Sequence, residues 1–255
     1  MNDVLKVWVD RREALLRLRL ARPKANLVDA AMIAALGGAF AEHRDPGRLR
    51  AALIDAEGPH FSFGASVEEH LPEKCAGMLK GLHELLVAML EWPRPILVAV
   101  QGQCLGGGLE LALAGTLIFA SRDAQFGQPE IKLGVFAPAA SCLLPLRLGQ
   151  PAAEDLLLSG RSIGADEALR LGLVQRVSDN GADAALEYFD QHLAGKSAAA
   201  LGYAVRAARE AFVPEVKRRL VAAERLYLEG VMATRDATEG LAAFLAKRQP
   251  VWEHH

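Results

Sequence analysis

Two carboxylates and one run of glycines are the residues of this chain whose types and spacing could do chemistry. The glycines lie in Gln101-Gly102-Gln103-Cys104-Leu105-Gly106-Gly107-Gly108-Leu109-Glu110, between an apolar strand-like run and an apolar helix-like run. Where side chains are absent at such a turn, backbone N–H groups at the helix start are free to meet a negatively charged oxygen. Taken alone, the same glycines could serve only the tight packing of a strand-to-helix turn. Glu110 follows Gly107 by three residues, so a helix puts both on one face. Its neighbours Leu109, Leu111 and Ala112 are apolar, and burial among them would raise the carboxyl pKa and suit it to proton transfer. An exposed stripe residue is the alternative. Glu130 is the second carboxylate, delivered by the turn Phe126-Gly127-Gln128-Pro129-Glu130 beside Ile131 and Leu133. A glutamate favoured by a helix start fits that position equally well.

Other chemistries lack their first requirement. There is no HExxH, no GxSxG elbow and no Cys/His spacing suited to zinc, and neither the dinucleotide fingerprint nor a Walker lysine is present. His60, His70 and His83 stand singly near loops or on a helix and are expected to be ordinary surface or core histidines. Arg22 and Lys24 in an early loop could meet phosphates or simply be solvated. No metal or other cofactor is expected.

The elements that must hold these residues follow from periodicity. Val4 to Val9 and Leu15 to Leu20 alternate apolar and charged residues about Asp10-Arg11-Arg12-Glu13, which predicts a hairpin with one wet face. Asp29 precedes Met32, Ile33, Leu36 and Phe40, predicting a helix capped by Asp29 and reaching about His43. Ala51 to Asp55, Ile96 to Val100 and Thr116 to Ala120 predict strands, the second buried on both faces because its apolar run does not alternate. A long helix is expected over about Pro72 to Glu91. From about residue 150 onward the three- and four-residue spacing predicts helices almost throughout, so strands come first and helices last. The expected division is a core over residues 1–195 and a helical tail over 196–255 that packs on the core or on a neighbouring subunit, and Leu201, Val205, Val216, Leu220, Leu226 and Val231 of the helices after about residue 195 are expected to face another chain.

Size and composition narrow the partners. The chain has 255 residues, 51% of them apolar, which suffices for one large domain. Its 29 basic and 31 acidic residues are interspersed and leave a net charge of −2, so a nucleic-acid partner is disfavoured. Apolar runs fall far short of the roughly 20 residues a membrane span needs. Cys75, Cys104 and Cys142 are odd in number and unpaired in spacing, and no leader-like segment opens the sequence, so a reduced, cytoplasmic setting is expected.

Taken in order, Phe61-Ser62-Phe63-Gly64-Ala65-Ser66, then Gln101 to Glu110, then Phe126 to Gly134 resemble the motifs of the crotonase (enoyl-CoA hydratase/isomerase) superfamily. That resemblance implies an α/β fold, a spiral of ββα turns with a C-terminal helical trimerisation region, assembled as a homotrimer or a dimer of trimers. It implies an acyl-CoA substrate, an oxyanion hole from the backbone N–H groups of Ala65 and Gly107, and catalysis by Glu110 and Glu130. Lys24, Ala25, Gly64 and Phe136 fall at its substrate-binding positions. Where ordinary members carry Gly-Ala-Gly-Gly after the second glutamate motif, this chain has Phe136-Ala137-Pro138-Ala139-Ala140-Ser141-Cys142. Bulk placed there reshapes the acyl pocket and resembles the branch of the family that hydrates a cyclic dienoyl thioester in anaerobic aromatic breakdown. The implied alternatives are a hydratase or isomerase for another acyl group, and a non-catalytic binding protein of the same fold.

Overall fold

The computed structural model describes residues 4–255. Strands β1 (Leu5–Asp10) and β2 (Leu15–Leu20) pair antiparallel, with Leu5 opposite Leu20 and Asp10 opposite Leu15. Helix α1 (Ala30–Glu42) starts at Asp29, whose side chain accepts from the Met32 N–H at 3.0 Å, and it buries Met32, Leu36 and Phe40. Next come β3 (Ala51–Ala56), a one-turn 3-10 segment (Val67–His70), α2 (Cys75–Glu91), β4 (Ile96–Val100), the short β5 (Gln103–Leu105) and α3 (Gly107–Leu113). The central part ends with β6 (Leu117–Ser121), β7 (Gln125–Gly127), a 3-10 turn (Pro129–Leu133) and α4 (Pro138–Leu148).

Helix α5 (Gln150–Ser159), β8 (Ser162–Gly164), α6 (Ala165–Arg170), β9 (Arg176–Ser178) and α7 (Gly181–Tyr188) follow. The tail holds α8 (Ala198–Ala208), α9 (Phe212–Arg225) and α10 (Arg235–Leu245). The main sheet has the order β1-β2-β3-β4-β6-β9 and is parallel from β2 onward; a second sheet has the order β5-β7-β8. All five residues of β4 are buried, as its continuous apolar run requires for a strand covered on both faces.

Three expectations need correction. The hairpin has a wet face only on β1. On β2 the Arg17 side chain is 6% exposed, because its guanidinium meets Asp55 of β3 at 2.7 Å and stacks 4.9 Å from the Trp8 ring. Strands also recur late in the chain, as β8 and β9, each too short at three residues to show an alternation. Finally, Val216 and Leu220, expected to face another subunit, are buried within this chain's own main core, where α9 packs on α2 and α4.

Candidate active site

The second sheet is the device that brings three separated segments together. Ser62 forms a parallel bridge with Cys104 of β5; its N–H donates to the Gln103 carbonyl at 2.9 Å, and its own carbonyl accepts from the Leu105 N–H at 3.0 Å. On the other side of β5, Leu105 lies opposite Gly127 of β7, and the Gly106 N–H donates to the Gly127 carbonyl at 3.0 Å. The chain leaving each of these strands therefore emerges at one place: Gly64-Ala65, Gly106-Gly107 and Gln128 to Glu130.

At that place the backbones nearly touch. A Cβ on Gly107 would stand 3.0 Å from the Ala65 nitrogen, and one on Gly64 would stand 3.2 Å from the Gly107 nitrogen. Neither the Ala65 nor the Gly107 N–H has a protein acceptor among the described residues. Two neighbouring unspent donors are what a developing oxyanion requires. Gly106, at φ +51°, makes room for Glu130, whose Oε1 would lie 2.5 Å from a Cβ at that position. The glycine run thus serves close packing and leaves donors exposed at the same time.

Glu110 is buried and Glu130 is half-buried. Glu110, on α3, is 4% exposed, and its Oε1 accepts from the Ala140 N–H of α4 at 2.8 Å. Burial pushes its pKa up, opposed by the Ala140 N–H, by charge on His83 and by the Ala139 N–H. Glu130 is pushed up to about 8, first by burial and then by the negative charge of Glu110. Two carboxylates in mutual range share protons as a pair, and the second charge is the costly one. Gln128 is 1% exposed, and its amide nitrogen, turned to donate, lies 3.1 and 2.9 Å from the two Glu130 oxygens.

A cavity of 320 Å³ opens onto this cluster, lined by Gly64, Ala65, Gly106 and Glu130 and closed by Gly240, Phe244 and Arg248 of the tail. Gly107 sits beside its wall. Phe136 lies a layer behind, its ring 5.4 Å from that of the buried Tyr227, in a cluster that includes Ala65 and Val135. Lys24 and Ala25 are not among the cavity's walls; the Ala25 carbonyl accepts from the Phe63 N–H at 2.9 Å, tying their loop to the Ala65 segment. Arg22 is spent on an ion pair with Asp29. His60 accepts from the Gln103 N–H at 3.2 Å, and His83 pairs with Glu224 at 2.8 Å, so both hold structure.

Sequence reasoning missed several contributors. Asn26 is fully buried and donates to the carbonyls of Glu57 and His60 at 2.9 and 3.0 Å, fixing the loop before the Ala65 segment. Gln128 also escaped, since a polar residue in a turn shows no periodicity and position within a motif was the available signal; His70, expected to be an ordinary surface or core histidine, lines the cavity instead. The tail's role as a wall of the cavity was likewise invisible. Gly240 packs against Leu133, and any side chain there would strike the Leu133 carbonyl.

The sequence model of the enoyl-CoA hydratase/isomerase family matches residues 10–255. The chain is 62% identical over 253 residues, 99% of its length and 98% of the relative's, to the cyclohexa-1,5-dienecarbonyl-CoA hydratase of Thauera aromatica. It is 35% identical to a carnitinyl-CoA dehydratase of Salmonella paratyphi A, covering 95% of this chain and 96% of that one. Among solved structures, an enoyl-CoA hydratase/isomerase from Pseudoalteromonas atlantica T6c superposes with a TM-score of 0.86 at 30% identity, over 98% of this chain and 99% of the other.

Proposed function

The chain belongs to the enoyl-CoA hydratase/isomerase family, and on that premise we propose that it hydrates cyclohexa-1,5-diene-1-carbonyl-CoA to 6-hydroxycyclohex-1-ene-1-carbonyl-CoA. The observation that carries the mechanism is a cavity lined by Ala65, Gly106 and Glu130, with the unspent Gly107 amide beside the Ala65 nitrogen and the buried Glu110 within electrostatic range of Glu130. Coenzyme A enters as part of the substrate.

Glu110 and Glu130 divide the work according to their surroundings. Burial raises the pKa of both carboxyls, but in Glu110 the Ala140 N–H and the charge on His83 oppose that rise, whereas in Glu130 the negative charge of Glu110 adds to it. Glu110 is then the base and Glu130 the acid. Water gives a proton to Glu110 as its oxygen bonds to the β-carbon of the diene. The displaced electron pair moves onto the thioester oxygen, where the Ala65 and Gly107 N–H groups stabilise it; removing one such donor costs about 2.7–4 kcal/mol in comparable sites. The dienolate takes the Glu130 proton at the far end of the conjugated system, a net 1,4-addition. Transfer of a proton from Glu110 back to Glu130 restores the resting pair.

Gly64 and Phe136 shape the acyl end in this reading, and Lys24 with Ala25 lies along the coenzyme A approach. The protein works in the cytoplasm as a homotrimer or a dimer of trimers. Exposed apolar residues of the tail, Tyr203, Val221 and Leu226, support the assembly, and light scattering at micromolar concentration checks it.

Incubating the purified chain with the cyclic dienoyl-CoA and, separately, with crotonyl-CoA tests the substrate. Following the thioester chromophore should show faster conversion of the cyclic thioester. Preference for crotonyl-CoA would overturn the acyl assignment, and conversion of neither would favour a binding protein.

A further inference from the structure

Resting on the hydratase reading, we propose that His70 is a positioning and specificity residue whose Nε2 accepts a hydrogen bond from the hydroxyl that hydration places on the acyl ring. His70 closes the 3-10 turn Val67–His70, five residues after Ala65. Its Nδ1 lies 2.9 Å from the Ser66 carbonyl, which can only accept, so Nδ1 carries the proton. In the neutral ring the lone pair then sits on Nε2. Burial pushes the imidazole pKa down against the opposing effect of Glu69, and the ring stays neutral at neutral pH.

His70 lines the same 320 Å³ cavity as Ala65, Gly106 and Glu130. The remaining charged side chains there, Lys132 and Arg248, can only donate, and Arg248 is held by Glu239 at 2.7 Å. Glu130 serves as proton donor. Besides Glu130, which is committed to the far end of the conjugated system, His70 is the side chain among the described residues lining the cavity that can accept. The two thioesters differ in what they ask of it. The diene ring has no polar atom, whereas the product ring carries a hydroxyl, and a hydroxyl left unpaired in a mostly apolar cavity is costly. An acceptor at His70 favours the hydroxylated ring and the transition state in which its C–O bond forms.

His70→Met removes the acceptor at similar bulk, and His70→Gln restores an oxygen at comparable reach. Steady-state constants are measured in both directions, with dienoyl-CoA for hydration and hydroxyacyl-CoA for dehydration. A neutral hydrogen bond predicts changes of roughly 3–10-fold. In His70→Met the hydroxyacyl KM should rise by that factor with dehydration kcat kept, while hydration kcat falls by the same factor with the dienoyl KM kept. The fixed overall equilibrium demands this match between the two directions. His70→Gln should recover most of both losses. Constants all within twofold of the parent in His70→Met would overturn the assignment. So would a rise in KM for both thioesters that His70→Gln does not reverse, the mark of a structural role. A parent chain that converts neither thioester overturns the hydratase reading itself.

Discussion

Replacing Gly106 by alanine tests the placement of Glu130 more sharply than removing the carboxylate would. The new methyl would stand 2.5 Å from Glu130 Oε1. Carbon and oxygen need roughly 3.5 Å, so the carboxyl must retreat by about 1 Å. A misplacement of about 1 Å at a proton-transfer site costs on the order of 10²-fold in rate. Because φ at this position is +51°, alanine also adds strain of about 1–2 kcal/mol, or roughly 2–8 °C in Tm for a chain of this size. Gly149→Ala separates the two effects: Gly149 has φ +79° and no atom within 4 Å of its Cβ position. Both variants should lose comparable Tm in a thermal melt, but only Gly106→Ala should lose kcat in the thioester assay. Equal kcat in the two variants, with Gly106→Ala folded, would refute the close approach of Glu130 to the glycine run as the basis of its role.

The remaining predictions concern charge. Glu110→Gln and Glu130→Gln should each lower kcat by roughly 10²–10⁴ with thioester affinity nearly kept, and the double variant should cost much less than the product; additive losses in single-turnover assays would mean separate tasks. Glu130 has its pKa raised from 4.5 to about 8, so its contribution to stability is fully present below about pH 4.5 and lost as pH rises through about 8. Glu130→Gln should accordingly gain Tm relative to the parent at pH 8 and not at pH 4.5, and a gain that shrinks with rising pH would contradict the burial of this carboxyl. Asp55→Ala strips the buried Arg17 of its 2.7 Å partner and Arg19 of a second, an expected loss of about 3–5 kcal/mol and roughly 6–20 °C in Tm. A melt shifted by less than about 2 °C would show that Arg17 finds water or Asp10 instead.

Local spacing carried a large part of the outcome. The Asp29 cap, the helix it starts and the fully buried β4 follow from interactions within a few residues, and the unaided sequence shows them as periodicity. Resemblance of three ordered motifs added the family and its fold. Where partners are distant, the reading failed in specific ways. Arg17 looked like a wet-face residue because Asp55, its partner, is 38 positions away. Val216 and Leu220 looked available to another subunit because nothing in α9 reveals that α2 and α4 cover it.

By itself, then, the sequence determined which residue types could do the chemistry and which short segments carry them: carboxylates in apolar surroundings, glycines at a turn, strands and helices from their periods. Tertiary structure alone decided that these segments converge. Strands β5 and β7 are three residues each, too short for any pattern, yet their pairing places Gly106 against Glu130, and the bridge from β5 to Ser62 places the Ala65 amide beside Gly107. The proton affinities of the two glutamates were decided there too. Burial and the field of one carboxylate on the other depend on distances through space, which a linear order of residues does not contain.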